Sequence, residues 1–278
     1  MPTALVLGGG GVLGAARVGF IRRLRELAIP VDLVVGTSVG ALNAAHVAFH
    51  EPADHDCLTE IWRGLAGEHL VHRNVPRIAM HLLRPRMSLY LDTFVRTLLA
   101  EHLAADDFAA ARIPLSVTAT DLLSGERRVL HDGSLTDALL ASTAIPGVFP
   151  PVRISDGLLV DGAVSDPTDI AAAVALGATV VIAIDLSGEL RAREPRNVVE
   201  VLLRSLEVLA ESRTTCTREH ALHGASVVHI RPGLSSATGS DFASVDALLE
   251  RSAVMASEVF ADCWVDGVLR AGSYPWSA

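Results

Sequence analysis

Residues 34–44 read "VVGTSVGALNA": an apolar β-branched run enters a helical pattern through Gly36-Thr37-Ser38-Val39-Gly40. Glycines flanking a serine two residues away on either side fit G-x-S-x-G. In that pattern a sharp strand-to-helix turn lifts a hydroxyl above a sheet. A serine in this place also serves as a helix N-cap. A cap alone does not require glycine on both sides, so the residues around it carry the decision.

Upstream, "TALVLGG" (3–9) is a short apolar run stopped by glycine, which predicts a buried strand. Residues 13–27 place Val18, Ile21 and Leu24 at helical spacing, with Arg22, Arg23, Arg25 and Glu26 opposite, and Pro30 closes the unit. A second strand is expected over 31–36 and a second helix over 39–49. Downstream, 54–105 reads as broken helix and 113–133 as two strands around a Ser-Gly turn. Residues 134–142 form a short helix, and "AIPGVFPP" (144–151) a rigid loop. Asp156-Gly157 reads as a hairpin turn, and "GLLVDGAVSDP" (157–167) as a strand leaving through a turn. A helix over 168–176 and a strand over 179–185 follow. The pattern then gives a long helix over 197–222, a last strand at 226–232 and a closing helix over 241–270. Strands alternating with helices predict an α/β fold with a mostly parallel sheet covered on both faces. The expectation is one domain over 1–278, with a candidate helical cap at about 54–105. The stretch "SGELRAREPR" (187–196) is expected to be a solvated loop.

Composition narrows the function. The 278 residues fit one α/β domain, half are hydrophobic and only 4% aromatic, so the core is aliphatic. The net charge is −9, and every basic residue is arginine because lysine is absent. That balance argues against nucleic acid as the main partner. Cys57, Cys216 and Cys263 show no CxxC or Cys/His spacing that suggests a metal. They read as free thiols in a reducing compartment, and neither metal nor cofactor is expected. "MPTALVLGGGGVLG" lacks the basic start of a signal peptide. The longest apolar run, "IAAAVALGATVVIAI" (170–184), is shorter than the ~18–20 residues a membrane span needs. The expected location is the cytoplasm, with at most peripheral membrane attachment. For that attachment, Arg73, Arg77, Arg84 and Arg86 interleave with apolar residues in 71–90.

"VLGGGGVLGAARVGF" (6–20) holds Gly9-x-Gly11-x-x-Gly14 between a strand and a helix, the context of a dinucleotide fingerprint. Such a fold also wants an acid near the end of the second strand, but that strand ends Gly36-Thr37-Ser38 and Asp32 stands at its start. Glycines at a helix N-terminus also present backbone N–H groups to a developing negative charge, including the oxyanion of a tetrahedral intermediate. Both loops follow consecutive strands and so share one sheet edge, where α/β folds bind ligands.

A serine nucleophile needs a proton acceptor. Asp161, at the end of the apolar "LLVDGAV" and followed at once by Gly162, is expected at the same edge as Ser38. Burial would raise its basicity. A turn aspartate capping its own backbone remains the alternative. His131, beside Asp132, is the best-placed histidine. His220 and His223 belong to a charged helical stretch, and His229 sits inside the strand "VVHI".

With these residues in place, four ordered blocks resemble the patatin-like phospholipases: "GGGGVLGAARVGF", "GTSVGALNA", "ASTAIPGVFPPV" and "VDGAVSDP". The resemblance covers the N-terminal two-thirds and implies a three-layer α/β/α fold with a Ser–Asp dyad. Ser38 would be nucleophile and Asp161 proton acceptor. Amides of Gly9, Gly10 and Gly11 would form the oxyanion hole, with Gly14, Gly36, Gly40 and Gly162 as motif glycines. It also implies hydrolysis of carboxylic esters of phospholipids or other acyl lipids without a metal. Leu13 stands where the family often has Arg or Lys, which removes a charge that could favour an anionic headgroup. The rival readings are a Ser–His acyltransferase or thioesterase using His131, a nicotinamide oxidoreductase, and a lipid-binding protein without activity.

Overall fold

A computed structural model describes residues 1–51, 56–67, 88, 92–186, 225–233 and 245–277. Between 194 and 212 it adds 194–195, 198, 201–202, 204–210 and 212. Arg73, Arg77, Arg84, Arg86, Cys216, His220 and His223 lie outside the described residues, as do most of the stretch 187–196 and of the helix expected over 197–222.

The strands are β1 (Thr3–Leu7), β2 (Leu33–Thr37), β3 (Leu115–Asp121), β4 (Arg127–Leu130), β5 (Val152–Ile154), β6 (Gly157–Asp161), β7 (Val180–Ile184) and β8 (Ser226–Gly233). The chain continues with β9 (Trp264–Val265), β10 (Val268–Leu269) and β11 (Gly272–Ser277). The helices are α1 (Arg17–Glu26), α2 (Val39–Phe49), α3 (Asp56–Gly67), α4 (Thr93–His102), α5 (Leu135–Ser142), α6 (Ile170–Ala175) and α7 (Val245–Cys263). A six-residue 3₁₀ helix, Gly11–Ala16, precedes α1.

One nine-stranded sheet runs in the order β11-β8-β7-β1-β2-β3-β6-β5, with β4 paired to β3. From β11 through β3 all neighbours are parallel. Beyond β3, the pairings with β4 and β6 and that of β5 with β6 are antiparallel. Alternation in the central strands splits the core. Leu5, Leu7, Val34, Ile182, Ile184, Val228 and Ile230 pack with α1, α2 and α7 on one face. Ala4, Val6, Val35, Val181, Ala183 and Val227 pack with α6 on the other. Two buried faces around a mostly parallel sheet make the three-layer α/β/α architecture expected from the sequence.

α1 meets α7 closely enough that a Cβ on Gly19 would collide with the backbone of Ser252. The Gly19 amide donates to Ser252 Oγ at 3.2 Å, and Phe20 and Phe260 lie with ring centroids 6.4 Å apart. The C-terminus corrects the sequence reading. The closing helix ends at Cys263, β8 is not the last strand, and β11 pairs parallel to β8 at the sheet edge. Asp266-Gly267, both with positive φ, reverse the chain between β9 and β10 and stop the helix. Among the described residues no helix is long and apolar enough to cross a membrane.

Candidate active site

Ser38 sits between β2 and α2 with φ 55° and ψ −133°, a conformation rarely adopted by a residue with a side chain. Its neighbours hold it there. The Ser38 amide donates to Ser142 Oγ at 2.8 Å, and that hydroxyl donates to the Thr118 carbonyl at 2.7 Å. A Cβ on Gly40 would collide with the carbonyl oxygens of Leu7 and Gly8, so only glycine lets α2 begin against the end of β1. A Cβ on Gly36 would strike Ala41 Cα. The elbow expected from G-x-S-x-G is therefore present, and Ser38 forms no side-chain cap bond with α2. The N-terminal end of that helix points its partial positive charge at the serine.

The Ser38 hydroxyl donates to Asp161 Oδ2 at 2.7 Å. Asp161 is 4% exposed and Ser38 8%. The Ala163 amide donates to the other carboxylate oxygen at 2.9 Å, the Asp161 amide donates to the Ala144 carbonyl, and Thr120 Oγ1 donates to the Asp161 carbonyl. Burial pushes the Asp161 carboxyl up to about 6, against the opposing effect of the bonds from Ser38 and Ala163. A Cβ on Gly162 would collide with the Thr118 carbonyl, which explains glycine directly after the aspartate.

The glycine loop closes on the same place. A Cβ built on Gly9 would touch Ser38 Cβ at 3.6 Å. Gly10 and Gly11 have φ 140° and 56°, and Gly11 opens the 3₁₀ helix, whose first amides lack partners within the helix. The Gly9 amide donates to the Pro167 carbonyl at 2.8 Å. The Gly9 carbonyl accepts from Arg17 Nη2 at 2.6 Å. Arg17 is fully buried, which pushes its pKa down to about 9 against the pull of Asp185. Gly14 leaves room for Trp62 and Val39, and its carbonyl accepts from Asn43. Leu13 packs partly buried against the core.

The other candidates fall elsewhere. β4 runs antiparallel to β3 with Leu130 opposite Val117. His131 therefore leaves toward the far end of the sheet, its side chain 57% exposed. His229 is buried with Nε2 3.2 Å from Asp185 Oδ2. Asp32 accepts from the Thr3 amide at the start of β1, a strand's length from the glycine loop. Around Ser38 the described residues gather no metal-ligating cluster. The structure does assemble one that the sequence spacing did not single out: His46, His50 and Cys57. Sequence reading also gave no role to Ser142, Arg17 or Pro167. Ser142 lies within one of the quoted blocks, and an arginine on the apolar side of α1 was the available signal for Arg17.

The patatin-like phospholipase family model matches residues 5–174. The chain belongs to the patatin-like phospholipase family. Members of the family are lipid acyl hydrolases acting on ester bonds. Mouse patatin-like phospholipase domain-containing protein 7 is 34% identical over 187 residues, 66% of this chain and 13% of that protein. An uncharacterized NTE family protein of Mycobacterium bovis is 32% identical over 207 residues, 72% of this chain and 54% of that one. The crystal structure of VipD from Legionella pneumophila covers 92% of this chain and 67% of that one, at 14% identity and TM-score 0.44. The chain thus spans about an eighth of the mouse relative and about half of the mycobacterial one.

Proposed function

We propose that this patatin-like chain is a serine acyl hydrolase that cleaves carboxylic esters of phospholipids or other acyl lipids through Ser38 and Asp161. The supporting observation is the 2.7 Å hydrogen bond from Ser38 Oγ to a buried carboxylate, at a left-handed elbow touching the glycine loop. Asp161 takes the hydroxyl proton as Ser38 Oγ attacks the ester carbonyl carbon. The carbonyl π pair moves onto oxygen, and the oxyanion meets the glycine-loop amides. Of the three loop amides, that of Gly9 already serves Pro167, so the donors are Gly10 and Gly11. A good donor of this kind is worth ~3–4 kcal/mol in the transition state. Collapse of the intermediate expels the alcohol, which leaves with the proton from Asp161. A water molecule then gives its proton to Asp161 and attacks the acyl-serine. The fatty acid departs and the proton returns to Ser38.

Asp161 suits this role because it is ionised above about pH 6 yet more basic than an exposed carboxylate. Leu13 supplies no cation, so the reading gives acyl recognition precedence over headgroup charge. α3 and α4, the described helices within 54–105, are proposed as part of a cap. A fluorophosphonate that labels serine nucleophiles tests the reading together with p-nitrophenyl ester turnover. Labelling of wild type but not of Ser38→Ala, with turnover lost in both Ser38→Ala and Asp161→Asn, supports it. Full turnover in Asp161→Asn removes the dyad. Lipid binding with no turnover in the wild type removes the enzyme.

A further inference from the structure

Far along α2 from the serine elbow, the chain collects three side chains of metal-ligand type. His46 and His50 are four residues apart, in the last turn and at the C-cap of α2. This i, i+4 spacing puts two imidazoles on one helix face, as in helical zinc sites. Their rings stack with centroids 4.3 Å apart and an angle of 16°. His50 Nδ1 lies 3.2 Å from the His46 carbonyl. An Nδ1–H donated there fixes the tautomer that leaves the Nε2 lone pair outward, the arrangement that orients metal-bound histidines. Cys57 comes from the start of α3, which is pinned to α2 by Trp62 Nε1 donating to Asn43 Oδ1 at 3.1 Å. One ligand atom from each of the three side chains lies within 4.8 Å of the others.

We propose that His46, His50 and Cys57 bind a zinc-type divalent ion that ties α3 to α2. Two neutral imidazoles and one thiolate are the borderline-soft donors that such an ion selects over magnesium or calcium. Ligand atoms already gathered from two helices reach tetrahedral spacing by closing about an ångström, with one imidazole turning out of the stack so that both rings point at the ion. A cavity of about 40 Å³ adjoins the histidines, is lined otherwise mostly by leucines, and has His102 in its wall. It leaves room for a water or for His102 as a fourth ligand. Eight residues of helix separate Ser38 from His46, about 12 Å at 1.5 Å per residue, so the ion takes no part in chemistry at the serine. Its effect is to fix where the start of α3 lies. The inference stands independently of the proposed hydrolase activity.

The test uses the full chain, reduced, stripped with a chelator and titrated with Zn²⁺ or Co²⁺ alone. The expected result is one equivalent of Zn²⁺ per chain. The Co²⁺ form should show a thiolate-to-metal charge-transfer band that Cys57→Ser abolishes and Cys216→Ser retains. His50→Ala should weaken Zn²⁺ binding by at least about tenfold. Zn²⁺ should raise the Tm of the wild type but not of Cys57→Ser. Because His50 and Cys57 are only half-buried, these variants are preferred to replacement of buried His46. Matching unfolding curves in the absence of metal show that they fold. Three results overturn the site: no saturable binding, binding unchanged in both variants, or a Co²⁺ spectrum without the thiolate band.

Discussion

Two buried aspartates end strands on opposite sides of β1 and β2 and live in different surroundings. Asp161, at the end of β6, is held by a hydroxyl and an amide, and burial pushes its pKa up to about 6. Asp185, just past β7, is equally buried but faces His229 and two arginines. His229 Nε2 stands 3.2 Å away and Arg231 Nε 3.4 Å, and Arg17 senses its charge from beneath the glycine loop. A carboxylate held by neutral donors keeps its appetite for a proton. One that faces arginine side chains serves as their counter-ion. Placement at a strand end is common to both, and the neighbours separate the proposed base from a structural charge.

That contrast can be broken most forcefully at the reacting pair. Asp161→Asn is expected to lower kcat for a p-nitrophenyl ester by about 10²–10⁴-fold, the range for a positioned general base. Asp185→Asn should leave kcat within a few-fold in protein that remains folded. Equal losses would erase the distinction. Next comes stability. Asp185→Asn removes a buried charge that Arg17 and Arg231 face and should lower stability in urea unfolding. Asp161→Asn should do the reverse. Its folded pKa is raised, so the folded state binds the extra proton, and the ionised form is the costly one. The penalty is absent below about pH 4, grows as pH rises toward about 6 and is complete above it. Removing it should stabilise the protein at pH 8 by up to about 3 kcal/mol, with the gain fading as the pH falls.

A finer probe is the rate profile. kcat/KM should rise with unit slope through about pH 6 in the wild type, and Asp185→Asn should leave that limb in place. A limb near pH 4 would mean that Asp161 is not the titrating base. The smallest effect is expected at Arg17. Its guanidinium binds the carbonyl of the Gly9–Gly10 peptide, whose N–H belongs to Gly10. Arg17→Met should lower kcat about tenfold with KM unchanged, less than the 10²–10³ lost when an oxyanion donor is removed outright. A change confined to KM would place Arg17 in substrate binding instead.

The serine elbow was legible because glycine on both sides has few other uses, and the observed α2 spans the expected 39–49. Asp161 was legible for a reason that proved incomplete. The end of an apolar strand places it at the same edge as Ser38, but that pattern does not give the strand's direction. β6 is antiparallel to β3 and pairs Asp161 with Ala119, so the strand starts beyond the edge and runs inward to end there. The support around the pair was not legible. Ser142 reaches the Ser38 amide across 104 positions of sequence, and an arginine on the apolar side of α1 signals burial but not the backbone carbonyl it binds. The hairpin after Cys263 is signalled only by Asp266-Gly267, because the two-residue apolar pairs on either side are too short to read as strands against the long helix before them. His46, His50 and Cys57 are not legible as a set because their spacing matches no familiar Cys/His ligand pattern, and only the packing of α3 against α2 brings the cysteine onto the histidine pair.

The hydrogen bond between Ser38 and Asp161 is made on a backbone already bent into its unusual shape. Under the proposed chemistry the enzyme rests cocked. No rearrangement of the reacting groups stands between an incoming ester and attack, so restraint has to be exercised at the doorway, by whatever governs admission of an acyl chain. A cell holding such a protein would control it by occlusion or by where it is allowed to meet lipid.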